Sequence, residues 1–205
     1  MNSVLLSLAL LTLLQDSFTE FSFCREGPRE GDPVHCLRLN DAGEGAFTIR
    51  SEGRETVEPL QLSESAAGRF REWLAGTDYL ENGSEYESRR NVANLGRKSL
   101  VVEGGWGRRE AAFNYSARDD VNRLVAFLDR IISQETLRME LEYALEFDRL
   151  GLPNRLERLE TELRADRIAD PPALLETLRR IGSDARVVNY ARTAAQELVE
   201  DIEDD

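Results

Sequence analysis

The sequence predicts an α+β protein, in which an N-terminal antiparallel β-meander with one intervening helix precedes an all-helical C-terminal half. Three observations support this fold class. Short segments with alternating apolar residues fill the first 116 residues, and turn signals separate them. A helical period interrupts these segments once, after Ser63. From Val121 onward, apolar residues recur at intervals of three and four, which is typical of amphipathic helices.

The N-terminal segment, residues 1–17, has the character of a secretory signal peptide. Its apolar run from Val4 to Leu14 is interrupted only by Ser7 and Thr12. The run is too short for a membrane span, which needs roughly 20 residues. No basic residue precedes it, and no A-x-A-like cleavage site follows it. We therefore predict a signal peptide, with a buried N-terminal helix or strand and an uncleaved anchor as alternatives.

Six segments alternate apolar and polar residues and are predicted to be strands: 18–24, 34–40, 46–52, 56–62, 98–104 and 108–115. Phe21 and Phe23 share one face of the first segment, as Leu37 and Leu39 do in the second. Pro59 has no N–H to donate, so the fourth segment is predicted to be an edge strand. The following helices are the obvious cover for the apolar face of such a sheet.

Start and stop signals mark the predicted helices. Ser63 is a good N-cap for a helix that ends near Gly76. Ser116 and Asp119 form a capping box before a long amphipathic pattern. The apolar phase of that pattern shifts around residues 133–136, where we expect a kink or a new helix.

The remaining helices are predicted to form short antiparallel hairpins. In the helix from Arg155 to Arg167, Arg158 faces Glu162 and Glu160 faces Arg164, four residues apart in each case. We divide the mature chain into a β-rich domain with one helix, residues 18–116, and a helical region, residues 117–205. This region either packs on the sheet or forms a small helical-hairpin domain.

Charge excludes several classes of ligand. The net charge is −13, so neither nucleic acid nor an anionic membrane surface is expected as a partner, because both attract clusters of Lys and Arg. Lys98 is the only lysine among 26 basic residues. We interpret this bias as GC-rich codon usage, which favours a bacterial origin.

Cys24, His35 and Cys36 raise the question of a metal site, a nucleophile or a cross-link. Structural zinc usually takes four Cys or His ligands in close pairs, and the chain has only these three residues of the two types. In a strand, adjacent His35 and Cys36 point to opposite faces, which opposes a dyad between them and favours a solvent-facing histidine, although Cys24 with His35 stays geometrically possible. Paired antiparallel strands would place Cys24 and Cys36 on the same outer side. We therefore predict a disulfide, provided that the protein is exported.

No other constellation indicates catalysis, a cofactor or a metal. The many carboxylates contain no pair that stands out from a solvated surface, although a glycosidase-like pair stays open. Aromatic residues and arginines are enriched at binding hot spots. On that ground the candidate partner-binding residues are Trp106, Arg108, Arg109, Tyr86, Arg89 and Arg90. The alternative is that Trp106 folds back onto the sheet and the arginines pair with nearby acids.

The sequence thus predicts an exported, non-enzymatic interaction or accessory protein, secreted or periplasmic, with another protein as its partner. It is expected to need no cofactor and, after signal removal, to have no membrane span. One alternative function is a carboxylate-dependent hydrolase of the cell envelope. Another is a cytosolic binding protein with free thiols.

Overall fold

The computed structural model describes residues 18–90 and 92–204. The predicted signal peptide, residues 1–17, lies outside the described residues. The chain divides into two compact units between Leu128 and Asp129. The first unit contains an antiparallel sheet and the second is helical, so the α+β class is confirmed.

In the described part of the first unit, six strands form one antiparallel sheet in the spatial order β4-β3-β2-β1-β5-β6. Their bounds are β1 Phe18–Glu26, β2 Val34–Leu39, β3 Glu44–Ser51, β4 Arg54–Gln61, β5 Lys98–Gly104 and β6 Gly107–Phe113. Strands β1 to β4 form a meander, and β5 returns to pair with the other side of β1. Strand β4 lies at an edge, as Pro59 predicts.

Helix α1, Glu64–Gly76, covers the apolar face of this sheet. It begins where the Ser63 side chain accepts a hydrogen bond from the Ala66 N–H at 3.2 Å, so the predicted cap is confirmed. The ring of Phe70 packs 5.1 Å from that of Phe21 and 5.7 Å from that of Phe18. Sheet and helix share this core because strand alternation turns every second side chain towards α1.

Helix α2, Asp119–Phe147, is continuous through residues 133–136, so the alternative of a new helix there is wrong. Gln134 and Glu135 are buried polar residues within it, and each has a partner. The Gln134 Oε1 accepts from the Asp170 N–H at 2.8 Å, and Glu135 pairs with Arg138 at 2.8 Å. The apolar phase shifts because hydrogen-bonded polar groups replace apolar ones in the buried face.

Three further α-helices complete the described part of the second unit: α3 Leu152–Arg164, α4 Leu175–Ser183 and α5 Asn189–Asp204. Helix α5 packs against both α4 and α3. The predicted pair of Glu160 with Arg164 is confirmed. The pair of Arg158 with Glu162 is wrong, because Arg158 instead lies 2.9 Å from Glu140 of α2.

Candidate functional site

The two cysteines form the predicted cross-link. Cys24 and Cys36 lie directly opposite each other on β1 and β2, with their Cα atoms 4.1 Å apart, and their sulfurs are bonded. Both side chains are on the face opposite α1, because Phe23 and Leu37 point towards the helix. The Arg50 guanidinium donates to the Cys36 Sγ at 3.4 Å. The bond fits a protein outside the reducing cytosol.

His35 lies beside the disulfide but on the other face of β2. Its ring stacks on that of Phe47, with ring centroids 6.2 Å apart, and it is half-buried. The expectation of a solvent-facing histidine is therefore wrong. Burial, followed by the nearby Arg25 charge, lowers the pKa of His35. Because Cys36 is bonded and faces away, the pair offers no nucleophile.

Trp106 folds back at the tip of the β5–β6 hairpin. Its indole packs 5.9 Å from the Tyr79 ring, and the Arg109 guanidinium lies 4.3 Å from its centroid. Arg109 also donates to the Asp78 carbonyl at 3.0 Å, and Arg108 pairs with Glu103 at 2.9 Å. These three partner-binding candidates therefore make internal contacts, as the alternative interpretation expects.

Tyr86, another partner-binding candidate, belongs to the core. It is 1% exposed, and its hydroxyl donates to the Thr77 carbonyl at 3.0 Å. Burial raises the pKa of Tyr86, although the guanidinium of Arg118, 4.8 Å above its ring, acts in the opposite sense. The predicted partner-binding role of Tyr86 is therefore wrong, because so enclosed a side chain offers a partner no surface. Arg89 and Arg90 are exposed in the loop between Tyr86 and β5.

Within residues 18–90 and 92–204, no group of three or more His, Cys, Asp or Glu side chains is placed to hold a metal ion. The same residues contain no helix that is long and apolar enough to cross a membrane. Glu135 is a carboxyl with a pKa raised by burial, but Arg138 covers it and it is only 2% exposed. It is therefore closed to a substrate.

A groove between α3 and α5, the α3/α5 groove, is the candidate site. It has a volume of about 500 Å³. Helix α3 contributes Pro153, Leu156, Glu157, Glu160 and Arg164, and helix α5 contributes Tyr190, Thr193, Ala194, Glu197, Leu198 and Asp201. On each helix these positions recur at three- and four-residue intervals, so one face of each forms a wall. The groove therefore follows directly from the packing of α3 on α5.

The groove combines an apolar floor with an acidic rim. Leu156 and Leu198 lie beneath it at 1% and 4% exposure, whereas Tyr190 stands out at one end with 73% exposure. The lining contains four acids and one base, a charge of −4 + 1 = −3. The base, Arg164, is already paired with Glu160. The other three acids, Glu157, Glu197 and Asp201, form no ion pair with any residue that the structure describes.

A second apolar surface lies on the last turns of α2 and just beyond them. Tyr143, Phe147 and Leu150 are 60%, 76% and 82% exposed, and the first two rings lie 5.1 Å apart. The composition of this surface does not indicate which kind of molecule would bind it, whereas the α3/α5 groove has both a concave shape and a net charge.

The chain matches no protein-family model, and no curated protein matches it in sequence.

The sequence predictions did not include the groove, although one signal was present. Glu157, Glu197 and Asp201 have no Lys or Arg three or four positions away, unlike Glu160, which has Arg164. Such acids are not neutralised within their own helix. Their convergence on one groove depends on how α3 and α5 pack, which no local pattern specifies.

Proposed function

We propose that this protein is an exported, non-enzymatic interaction or accessory protein that holds a partner protein in the α3/α5 groove. The observation that carries the proposal is the acidic groove with an apolar floor and an exposed tyrosine. Binding interfaces combine an apolar centre with a polar rim, and Tyr is enriched at their hot spots. The groove has both features.

Export is supported by the disulfide. Cross-links between cysteines persist in oxidising compartments and are rare in the cytosol. The structure bonds Cys24 to Cys36, the only two cysteines, and this bond supports export over the cytosolic alternative with free thiols. The apolar run from Val4 to Leu14 supplies a route for export as a signal peptide.

The hydrolase alternative receives less support from the groove. A general acid for glycoside hydrolysis is kept protonated by apolar surroundings. Glu157, Glu197 and Asp201 are instead exposed on the rim. Exposed carboxylates that face a groove attract a cationic partner, so they suit recognition better than acid catalysis.

Photo-crosslinking tests the binding role. A benzophenone amino acid replaces Thr193, an exposed lining residue, in the full chain expressed in the cell that produces it. The control carries it at Glu176, an exposed residue of α4 outside the groove lining. We expect a discrete protein adduct from position 193 that is lost when Glu157, Glu197 and Asp201 are neutralised. Equal adducts from both positions, or none from 193, would overturn the proposal.

Export is tested by the intact mass of the chain expressed with its own N-terminus in a bacterium. We expect the loss of about 15–17 residues and no alkylation of cysteine before reduction. An uncleaved chain that is alkylated at both cysteines without reduction would contradict export and the cross-link together.

A further inference from the structure

We infer that the occupant of the α3/α5 groove is a single amphipathic helix of the partner protein, with basic residues along both of its edges. This inference rests on the proposed function and specifies the chemistry of the partner. Length, backbone hydrogen bonding and charge support it independently.

The length of the groove matches about three turns of helix. On α3 the lining residues extend from Pro153 to Arg164, and on α5 from Tyr190 to Asp201. At a rise of 1.5 Å per residue, each wall is roughly 17 Å long. A third helix of similar length would lie in the groove as helices do when side-chain ridges fill grooves.

The chemistry of the walls favours a helix over an extended peptide. Both walls are α-helices, whose backbone groups bond within the helix and leave no edge for a strand to join. An extended segment buried there would leave N–H and C=O groups unpaired, which is costly. A helix satisfies its own backbone and presents apolar anchors at i, i+3 or i+4, and i+7 to the floor.

The two walls define where the charges of the partner must lie. Glu157 and Glu160 are on the α3 wall, and Glu197 and Asp201 are on the α5 wall. A helix seated between them would expose one flank to each acidic wall. Basic residues on both flanks are attracted, and acidic ones are repelled. Tyr190 at one end adds an aromatic face for an Arg or Lys.

Three synthetic peptides of about 14 residues test the inference. The first places Leu along one helical face and Lys along both flanks. The second replaces every Lys with Glu. The third has the composition of the first in an order without helical periodicity. Binding of each fluorescent peptide to the full chain is measured by anisotropy at low and physiological salt.

We expect the Lys helix to bind at least tenfold more tightly than the other two, and less tightly at higher salt. The variant E157Q/E197Q/D201N should weaken its binding about tenfold, because three exposed charge contacts are lost. The control E20Q/E72Q/E85Q removes the same charge at exposed positions of the first unit. It should retain the affinity of the unaltered chain.

A second variant separates binding from folding. Thr193→Arg adds a positive charge at an exposed lining position without altering the apolar core. It should abolish binding of the Lys helix while the far-UV circular dichroism stays unchanged.

Equal binding of the Lys helix and the non-periodic peptide would show charge attraction without helix docking, and would overturn the inference. Equal weakening in both triple variants, or no binding at all, would also overturn it. The proposed function fails separately. It fails if position 193 gives no adduct in cells, whereas the helix inference fails if that adduct forms but the Lys helix neither binds nor competes with it.

Discussion

Glu135 and Arg138 form the most enclosed ion pair described in the second unit, with side chains 2% and 14% exposed. Arg138 also contacts Glu142 at 2.9 Å, and Glu142 accepts from the Thr177 hydroxyl at 3.0 Å. Burial raises the pKa of Glu135, and the Arg138 charge opposes that rise. Glu135 and Glu142 together oppose the buried Arg138 charge, so removing Arg138 should be costly.

We predict that Arg138→Met lowers the free energy of unfolding by about 3 kcal/mol, because it leaves a buried carboxylate unpaired. Urea unfolding followed by circular dichroism measures the loss. Arg158→Met removes the partner of Glu140, in a pair whose side chains are 56% and 37% exposed, and serves as the control with an expected loss of less than about 1 kcal/mol. Equal losses in the two variants would contradict the role assigned to burial.

His35 is the only histidine, so its titration can be followed without ambiguity. Its pKa lies below the ordinary value of 6.5, chiefly through burial and then through Arg25. We predict that its ring resonances in NMR titrate below pH 6.5. Arg25→Gln should raise that midpoint only part of the way, because burial is the larger cause. A midpoint at or above 6.5 would show that the ring is solvated.

The lowered pKa of His35 also predicts how stability depends on pH. Just below pH 6.5 the His35 ring binds a proton in the unfolded chain, whereas in the folded chain the ring stays neutral. The contribution of His35 to the free energy of unfolding is therefore complete above pH 6.5, and it is lost as the pH falls towards the pKa of His35 in the folded chain. The variant His35→Gln should show a smaller loss of stability across this window.

At the scale of elements, one disulfide joins the two strands of the β1–β2 hairpin. The disulfide joins residues 12 positions apart, and the loop between the strands contains Gly27, Pro28, Gly31 and Pro33. Apolar alternation aligns Phe21 with Leu39 and Phe23 with Leu37, which brings Cys24 opposite Cys36. The pairing of the apolar residues and the disulfide therefore require the same strand register.

We predict that Cys24→Ser/Cys36→Ser lowers the stability of the first unit by about 3 kcal/mol, as expected for a closed loop of this size. Trp73 and Trp106 both belong to that unit, so tryptophan fluorescence during urea unfolding measures the change there. The control Ser22→Ala/Ser99→Ala alters two outer-face neighbours and should change stability by less than about 1 kcal/mol. A cysteine variant as stable as its control would contradict the stabilising role.

At the scale of the whole molecule, the charge of −13 determines which large ligands are repelled. We predict no binding to duplex DNA or to vesicles rich in anionic lipid, even at about 50 mM salt, where attraction to cations is strongest. Anisotropy of a labelled duplex and vesicle flotation measure this, with a basic protein of similar size as the positive control. Saturable binding at micromolar protein would contradict the prediction.

Local pattern was sufficient for much of the fold. The strand segments, the Ser63 cap and the edge position of β4 are confirmed. They depend on side-chain alternation, on one hydroxyl and on the missing N–H of Pro59, which are properties of neighbouring residues. The predictions that failed depend on distant partners. Gln134 bonds to Asp170, 36 positions away, and Arg158 prefers Glu140 to a residue of its own helix.

By itself, the sequence determined the α+β class, the positions of the strands along the chain and the face on which both cysteines lie, because periodicity acts within a few residues. Only the tertiary structure decided that Tyr86 is buried and that Trp106 packs on Tyr79. It alone revealed the α3/α5 groove. The walls of that groove come from segments that lie more than 20 residues apart, and their acids converge only because a shared core draws the two helices together.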